Sequence, residues 1–343
     1  MTFDLLLVGF GNVGRRFARL LEERRARLAS GYDIQTRIVG VATGGHGGVF
    51  DPGGVDLARA LASPESLGPV PNGLELIAAA AATPGRAPRV VVETSPLSIE
   101  DARPAIDHVR LALLSRMHVV SANKGPVALA YRELRLLADR MGVRYLFEGA
   151  VMDGIPVFNL VRDSMPAADV LGFRGVLNST TNYIITRLED GEEFGPALAE
   201  MRRQGVAEAD ASLDIDGWDA AAKTAALVNV LMDGAIGPRD VARTGIAALT
   251  GARVREAVAH GRRIRLVASA RREAGTIRAS VAPEELASED PLALLRGMSN
   301  ALYIETDVLG RVGITQVDGG LTQTAYALLS DLVTLGRVPP APR

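Results

Sequence analysis

Thr2-Phe-Asp-Leu-Leu-Leu-Val8, running into Gly9-Phe10-Gly11-Asn12-Val13-Gly14, decides the fold. An unbroken apolar run that stops at a glycine is what a strand buried on both faces of a parallel sheet looks like. Beyond Gly14, Arg16 to Glu23 (RFARLLEE) places Phe17, Leu20 and Leu21 at helical spacing. Strand, G-x-G-x-x-G and helix in that order form a dinucleotide-binding turn. Its glycines permit a tight bend and let backbone approach a pyrophosphate resting on the helix N-terminus. Gly9, Phe10, Gly11, Asn12, Val13 and Gly14 are therefore the first cofactor candidates.

The rest of the first half fits a doubly wound α/β sheet. Residues 36–42 (TRIVGVA) read as the second strand. An acid at its far end would bond a ribose 2′-hydroxyl and select NAD. Thr43-Gly-Gly-His46 stands there instead, and Asp33 lies at the opposite end of the strand. A 2′-phosphate then meets no repulsion, but no arginine follows to clamp one. Both NAD and NADP remain open, with a lean toward NADP and with Thr43 as a contact. A short helix is expected at 56–62, and 68–88 reads as a Pro/Gly/Ala-rich connector containing one strand or helix. Residues 89–93 (RVVVE) form a strand that delivers Thr94 and Ser95 to the crevice outside the strand ends, ahead of a helix at 97–114. Met117 to Ser121 is the next strand, and Lys124 follows at its carboxyl end, with Pro126 in the first turn of a helix reaching Met141. Residues 143–147 read as a further strand. Its exit, Glu148-Gly-Ala-Val151-Met-Asp153-Gly-Ile155-Pro156, is either a cation-binding turn or a hinge between domains.

Past Pro156 the pattern changes. Strands at 169–177, 262–270, 276–282, 302–307 and 311–316, with helices at 180–190, 195–204 and 218–232, suggest an α+β domain. A last helix at 321–335 follows Asp318-Gly-Gly320 and returns to the first domain, where Gly320 would let backbone approach the nicotinamide. The expected division is 1–147, completed by 318–343, for the dinucleotide and 148–317 for substrate binding and catalysis.

Bulk properties remove several classes of function. A net charge of −2 over 343 residues offers no basic footprint for nucleic acid or a membrane surface. There is no cysteine, hence no disulfide, thiolate nucleophile or Cys–zinc site. The four histidines have no metal-ligand spacing, and the longest apolar run, near 74–82, is too short to span a bilayer. The first residues read as a strand and not as a secretion signal, so a cytoplasmic location is expected.

The chemistry is marked by lysine. Only Lys124 and Lys223 occur among 38 Lys+Arg positions. Arginine cannot release its proton in a protein, whereas lysine can. Asp219 and Lys223 are four apart on an alanine-rich predicted helix, which favours a packed pair over a solvated one. A lysine held there can pass a proton near neutral pH. Glu208, Asp210 and Asp214 precede it and suit an ammonium group. Asn178-Ser-Thr180-Thr181-Asn182, at a helix start, suits a carboxylate.

GFGNVGR (9–15), SANKGPVA (121–128), FEGAVMDGIP (147–156), LNSTTNYI (177–184) and VAEADASLDIDGWDAAAK (206–223) together resemble the homoserine dehydrogenases. The resemblance implies NAD(P)-linked interconversion of L-aspartate 4-semialdehyde and L-homoserine, in threonine and methionine biosynthesis, by a homodimer. It implies that Lys223 is the proton donor, that Glu208 and Asp219 lie near substrate, and that Lys124 lies between cofactor and substrate. It also implies a sodium site at Glu148 with the carbonyls of Val151, Asp153 and Ile155. Two departures stand out: Met152-Asp153 where the family often has paired glycines, and Ser179 where glycine is common. The chain ends soon after its last expected helix, so no regulatory domain and no feedback by threonine are expected.

Overall fold

The computed structural model describes residues 1–203, 211–317 and 319–337. The chain divides into two compact units, Met1–Pro156 with Leu321–Arg343, and Val157–Gly320.

The first unit is built on seven strands: β1 (Thr2–Val8), β2 (Gln35–Ala42), β3 (Gly47–Phe50), β4 (Gly68–Pro69), β5 (Arg89–Glu93), β6 (His118–Ser121) and β7 (Tyr145–Leu146). Their order is β4-β3-β2-β1-β5-β6-β7. β1 pairs in parallel with both β2 and β5, so the winding reverses at β1 and a crevice opens outside its carboxyl end. Helices α1 (Asn12–Tyr32), α2 (Leu57–Ala62), α3 (Gly73–Ala82), α4 (Ala105–Leu114) and α5 (Lys124–Met141) make the connections. Phe3, Leu5 and Leu7 of β1 meet Phe17, Leu20 and Leu21 of α1 in one buried cluster.

Three departures from the sequence expectations appear in this unit. β3 starts at the end of the glycine-rich 44–48 region and is an antiparallel partner of β2. A Cβ on Gly48 would lie 2.5 Å from the Val41 carbonyl oxygen. The close hairpin thus requires the residue that strand propensity penalises. The helix expected at 97–114 starts only at Ala105, because Pro104 bars the helical region to the residue before it. The strand expected at 143–147 shrinks to Tyr145–Leu146.

The second unit carries a six-stranded sheet of β8 (Val170–Val176), β9 (Ala242–Arg243), β10 (Arg262–Glu273), β11 (Thr276–Ala287), β12 (Asn300–Thr306) and β13 (Gly310–Gln316), ordered β13-β12-β8-β10-β11-β9. All neighbours are antiparallel except β11 and β9. β11 runs past the expected end at residue 282 because Pro283 is tolerated opposite Leu266. Helices α6 (Val157–Asn159), α7 (Ser179–Glu189), α8 (Phe194–Arg203), α9 (Ser212–Ile215), α10 (Trp218–Leu231) and α11 (Gly251–Ala259) complete the unit. α7, α10 and α11 pack on β10. The mixed architecture, a parallel doubly wound sheet plus an α+β unit, is the expected fold class.

α12 (Leu321–Arg337) rejoins the first unit, where Leu328, Leu332 and Leu335 enter the α1 and β1 core.

Candidate active site

In the first unit the glycine turn is held from beneath. The N–H groups of Gly9 and Phe10 donate to the Ala42 carbonyl at 3.0 and 3.1 Å. The Thr94 hydroxyl donates to the Gly9 carbonyl at 2.7 Å. A Cβ on Gly14 would sit 2.8 Å from that carbonyl oxygen, whereas one on Gly11 would meet nothing within 4 Å. Gly14 therefore serves helix packing, and Gly11 leaves open space at the start of α1. α1 has no side-chain cap, so its first N–H groups are available to an anion. Gly9 has φ +89°, and its Cβ would fall 2.4 Å from the Ser95 nitrogen. Gly9→Ala is expected to cost about 2–4 kcal/mol, combining left-handed strain with a backbone clash. Urea denaturation checks this, and a cost near zero would contradict the geometry.

Thr43 is committed to its own turn. Its hydroxyl donates to the Gly47 carbonyl at 3.2 Å and accepts the His46 N–H at 2.7 Å. Asp33 caps α1 at the start of β2 and pairs with the N-terminus. Lys124 is the first residue of α5, behind the cap residue Asn123, whose Oδ1 accepts the Gly125 N–H at 2.9 Å. Gly320 directly precedes α12.

The exit from β7 is held by specific contacts. Glu148 is buried and opens a single 3-10 turn, and its N–H donates to Asp331 Oδ2 at 2.8 Å. Met152 and Asp153 both take left-handed conformations, with φ 55° and 53°. Two such residues in a row are the conformation that paired glycines adopt without strain. A Cβ on Gly154 would lie 2.4 Å from the Gln323 carbonyl oxygen, and Thr324 donates to Asp153 Oδ1 at 3.3 Å, so the turn is braced on α12.

In the second unit, Lys223 on α10 points inward. Its Nζ lies 2.8 Å from Asp219 Oδ2 and donates to the Leu177 carbonyl at 2.8 Å. The two side chains are 14% and 11% exposed, so this is not a solvated helix-face pair. Asn178 caps α7 by accepting the Thr181 N–H, and its amide donates to Asp214 Oδ1 at 2.6 Å and to Asp219 Oδ2 at 2.8 Å. Thr180, in the first turn of α7, is buried. One cap residue thus gathers α7, α9 and α10 around the lysine. The α9–α10 corner turns through Gly217, φ +81°, and the Arg243 guanidinium lies 3.8 Å above the Trp218 ring. Asp214, Asp219, Thr180 and Lys223 come together, whereas Glu208 and Asp210 lie outside the described residues.

Asn178 is the member that residue reading underused. Its signal was the excess of polar groups in Asn178-Ser-Thr-Thr beyond what one cap needs.

Burial first, and then the charge of Asp219, push the Asp214 carboxyl above its ordinary value, against the opposing hydrogen bond from Asn178 and the charge of Lys223. The folded chain therefore binds this proton more tightly than the unfolded chain. Between the ordinary and the raised pKa, stability falls as pH rises. Asp214→Asn is expected to flatten that slope and to raise Tm near neutral pH. Thermal scans across pH check it; an unchanged slope would contradict the burial argument.

A glycine-turn parallel sheet and a half-buried, acid-paired lysine on a second unit define a nucleotide-linked oxidoreductase. The family model for homoserine dehydrogenase matches residues 156–333. The NAD(+)-dependent homoserine dehydrogenase of Pseudomonas canavaninivorans is 35% identical over 96% of this chain and 95% of its own length. The homoserine dehydrogenase of Methanocaldococcus jannaschii is 34% identical over 96% and 97%. A crystal structure of a homoserine dehydrogenase from Thiobacillus denitrificans superposes with a TM-score of 0.82 at 28% identity, covering 99% of this chain and 76% of that one. This chain belongs to the homoserine dehydrogenase family, NAD(P)-dependent oxidoreductases acting on a CH–OH group.

Proposed function

We propose that Lys223 is the proton donor when L-aspartate 4-semialdehyde is reduced to L-homoserine, and takes the proton back in the reverse direction. The supporting observation is the half-buried Nζ held between Asp219 Oδ2 and the Leu177 carbonyl, each at 2.8 Å. Both partners accept hydrogen bonds from the ammonium and hold it in place. A bound dinucleotide supplies the hydride. Asp219 keeps the ammonium oriented. Asp214 and Glu208 receive the substrate ammonium, and the Thr180 end of α7 receives its carboxylate. Asp214→Asn should then raise KM for homoserine about 10–100-fold, the equivalent of a hydrogen bond to a charged group at about 1.5–3 kcal/mol.

Gly9, Phe10, Gly11, Asn12, Val13 and Gly14 would cradle the pyrophosphate, with Thr94, Ser95, Lys124 and Gly320 on the nicotinamide side and Thr43 near the adenosine ribose. The missing acid after β2 favours NADP while admitting NAD. Glu148 with the carbonyls of Val151, Asp153 and Ile155 offers one buried carboxylate and neutral oxygens, a donor set suited to a monovalent cation such as sodium. A homodimer, a cytoplasmic location and a place in threonine and methionine synthesis complete the reading. The test is to follow reduced cofactor spectroscopically with homoserine and either NAD or NADP, with and without sodium. Turnover with neither cofactor would end it.

A further inference from the structure

Glu93 is the last residue of β5, fully buried at the crevice end of the sheet, and the proton transfer above gives it no task. A buried carboxylate is expensive unless its oxygens are satisfied, and an apolar side chain would fill the position at lower cost. Here both oxygens are engaged. Oε1 accepts the Ser95 N–H at 3.0 Å and also the Ser95 hydroxyl. His108 Nδ1 of α4 lies 3.4 Å from the same oxygen. Ser121 Oγ, at the end of β6, lies 3.4 Å from Oε2.

These contacts reach further. Ser121 Oγ accepts the Asn123 N–H at 3.0 Å. The Asn123 amide donates to the carbonyls of Ser95 and Pro96 at 2.9 and 3.2 Å, while its Oδ1 caps α5 at Gly125. The Glu93 carboxylate therefore ties the segment 94–96 to the segment 121–124, and with them the first residue of α5, Lys124. Burial, and next the negative charge of Glu93, also push the Tyr145 phenol well above its ordinary value, which leaves it a neutral neighbour.

The fold says which part of the cofactor this affects. In a doubly wound sheet the adenosine ribose lies beyond the second strand, so β1 and β2 serve the adenosine half. β5 and β6, across the switch point at β1, serve the nicotinamide half. We propose that Glu93 is a positioning residue for the nicotinamide half of the cofactor site, acting through Ser95, Ser121 and Asn123 on the Lys124 end of α5. This rests on the dinucleotide-binding reading of the glycine turn.

Two ligands separate the halves: the reduced cofactor, titrated by its fluorescence, and ADP-ribose, which lacks nicotinamide, titrated by calorimetry. Glu93→Ala should weaken the reduced cofactor about tenfold or more, the loss usual when a buried group that orients ligands is removed. ADP-ribose should bind within about threefold of the unmutated protein, the scatter of an uninvolved substitution. Glu93→Gln keeps an acceptor for Ser95 and should recover most of the loss. Unchanged cofactor affinity in Glu93→Ala, equal weakening of both ligands, or no recovery in Glu93→Gln would each overturn the proposal. If Glu93→Ala does not fold, Ser121→Ala carries the same two-ligand comparison with the same expected split. Failure of the unmutated protein to bind either ligand would instead sink the dinucleotide reading itself.

Discussion

Lys223→Arg should lower kcat by about 10²–10⁴-fold, the range assigned to a positioned general acid. The substitution isolates one property. The guanidinium retains the positive charge that offsets Asp219 and Asp214, so the electrostatics of the cluster survive. What disappears is a proton that can leave, because arginine stays protonated in proteins. The pocket is also shaped for a slim ammonium, with the Leu177 carbonyl and Asp219 Oδ2 both 2.8 Å from Nζ. The loss should fall on kcat, with cofactor affinity unchanged, since the glycine turn belongs to the first unit. Lys223→Met should be as inactive and less stable, because Asp219 would lose the ammonium 2.8 Å from its Oδ2. Rates near those of the unmutated protein for Lys223→Arg would refute the proton-donor assignment.

The parts of this molecule that were legible in the sequence are those with one local cause. The run Thr2–Val8 closed by glycines could hardly form anything but a central strand, and it does. Asp219 and Lys223 were paired by helical spacing alone, and their alanine neighbours foretold burial. The misses depend on long-range geometry. β3 is a strand only because Gly48 allows β2 within reach. The cap role of Asn178 was readable, but its bridging of Asp214 and Asp219 joins residues 36 and 41 positions apart. In the sequence Glu93 is only the last residue of the strand RVVVE. Its function as a hub depends on Ser121, 28 residues later, and on the α4 histidine.

Glu189→Ala should cost the second unit about 3–5 kcal/mol, the penalty for breaking a buried ion pair from one side. Glu189 ends α7, and its carboxylate meets Arg265 of β10 at 2.6 Å and Arg296 at 3.2 Å. Arg265 is fully buried; it also donates to the carbonyls of Ile264 and Ala293 at 2.7 and 2.9 Å. Burial already pushes the Arg265 guanidinium below its ordinary value, with Glu189 opposing that shift. Removing the acid leaves an interior cation whose remaining partners among the described residues are neutral carbonyls, the costlier half of the pair to strand. Because α7 also presents Asn178 and Thr180 at its other end, loosening its C-terminus should lower activity before global unfolding. Glu189→Leu combined with Arg265→Met removes both charges and should recover part of the stability, since apolar replacement of a whole buried pair is often neutral. Urea denaturation of the singles and the double gives the coupling between the two residues. Additive losses would mean that the pair contributes nothing as a pair, and that α7 is anchored to the sheet by apolar packing alone.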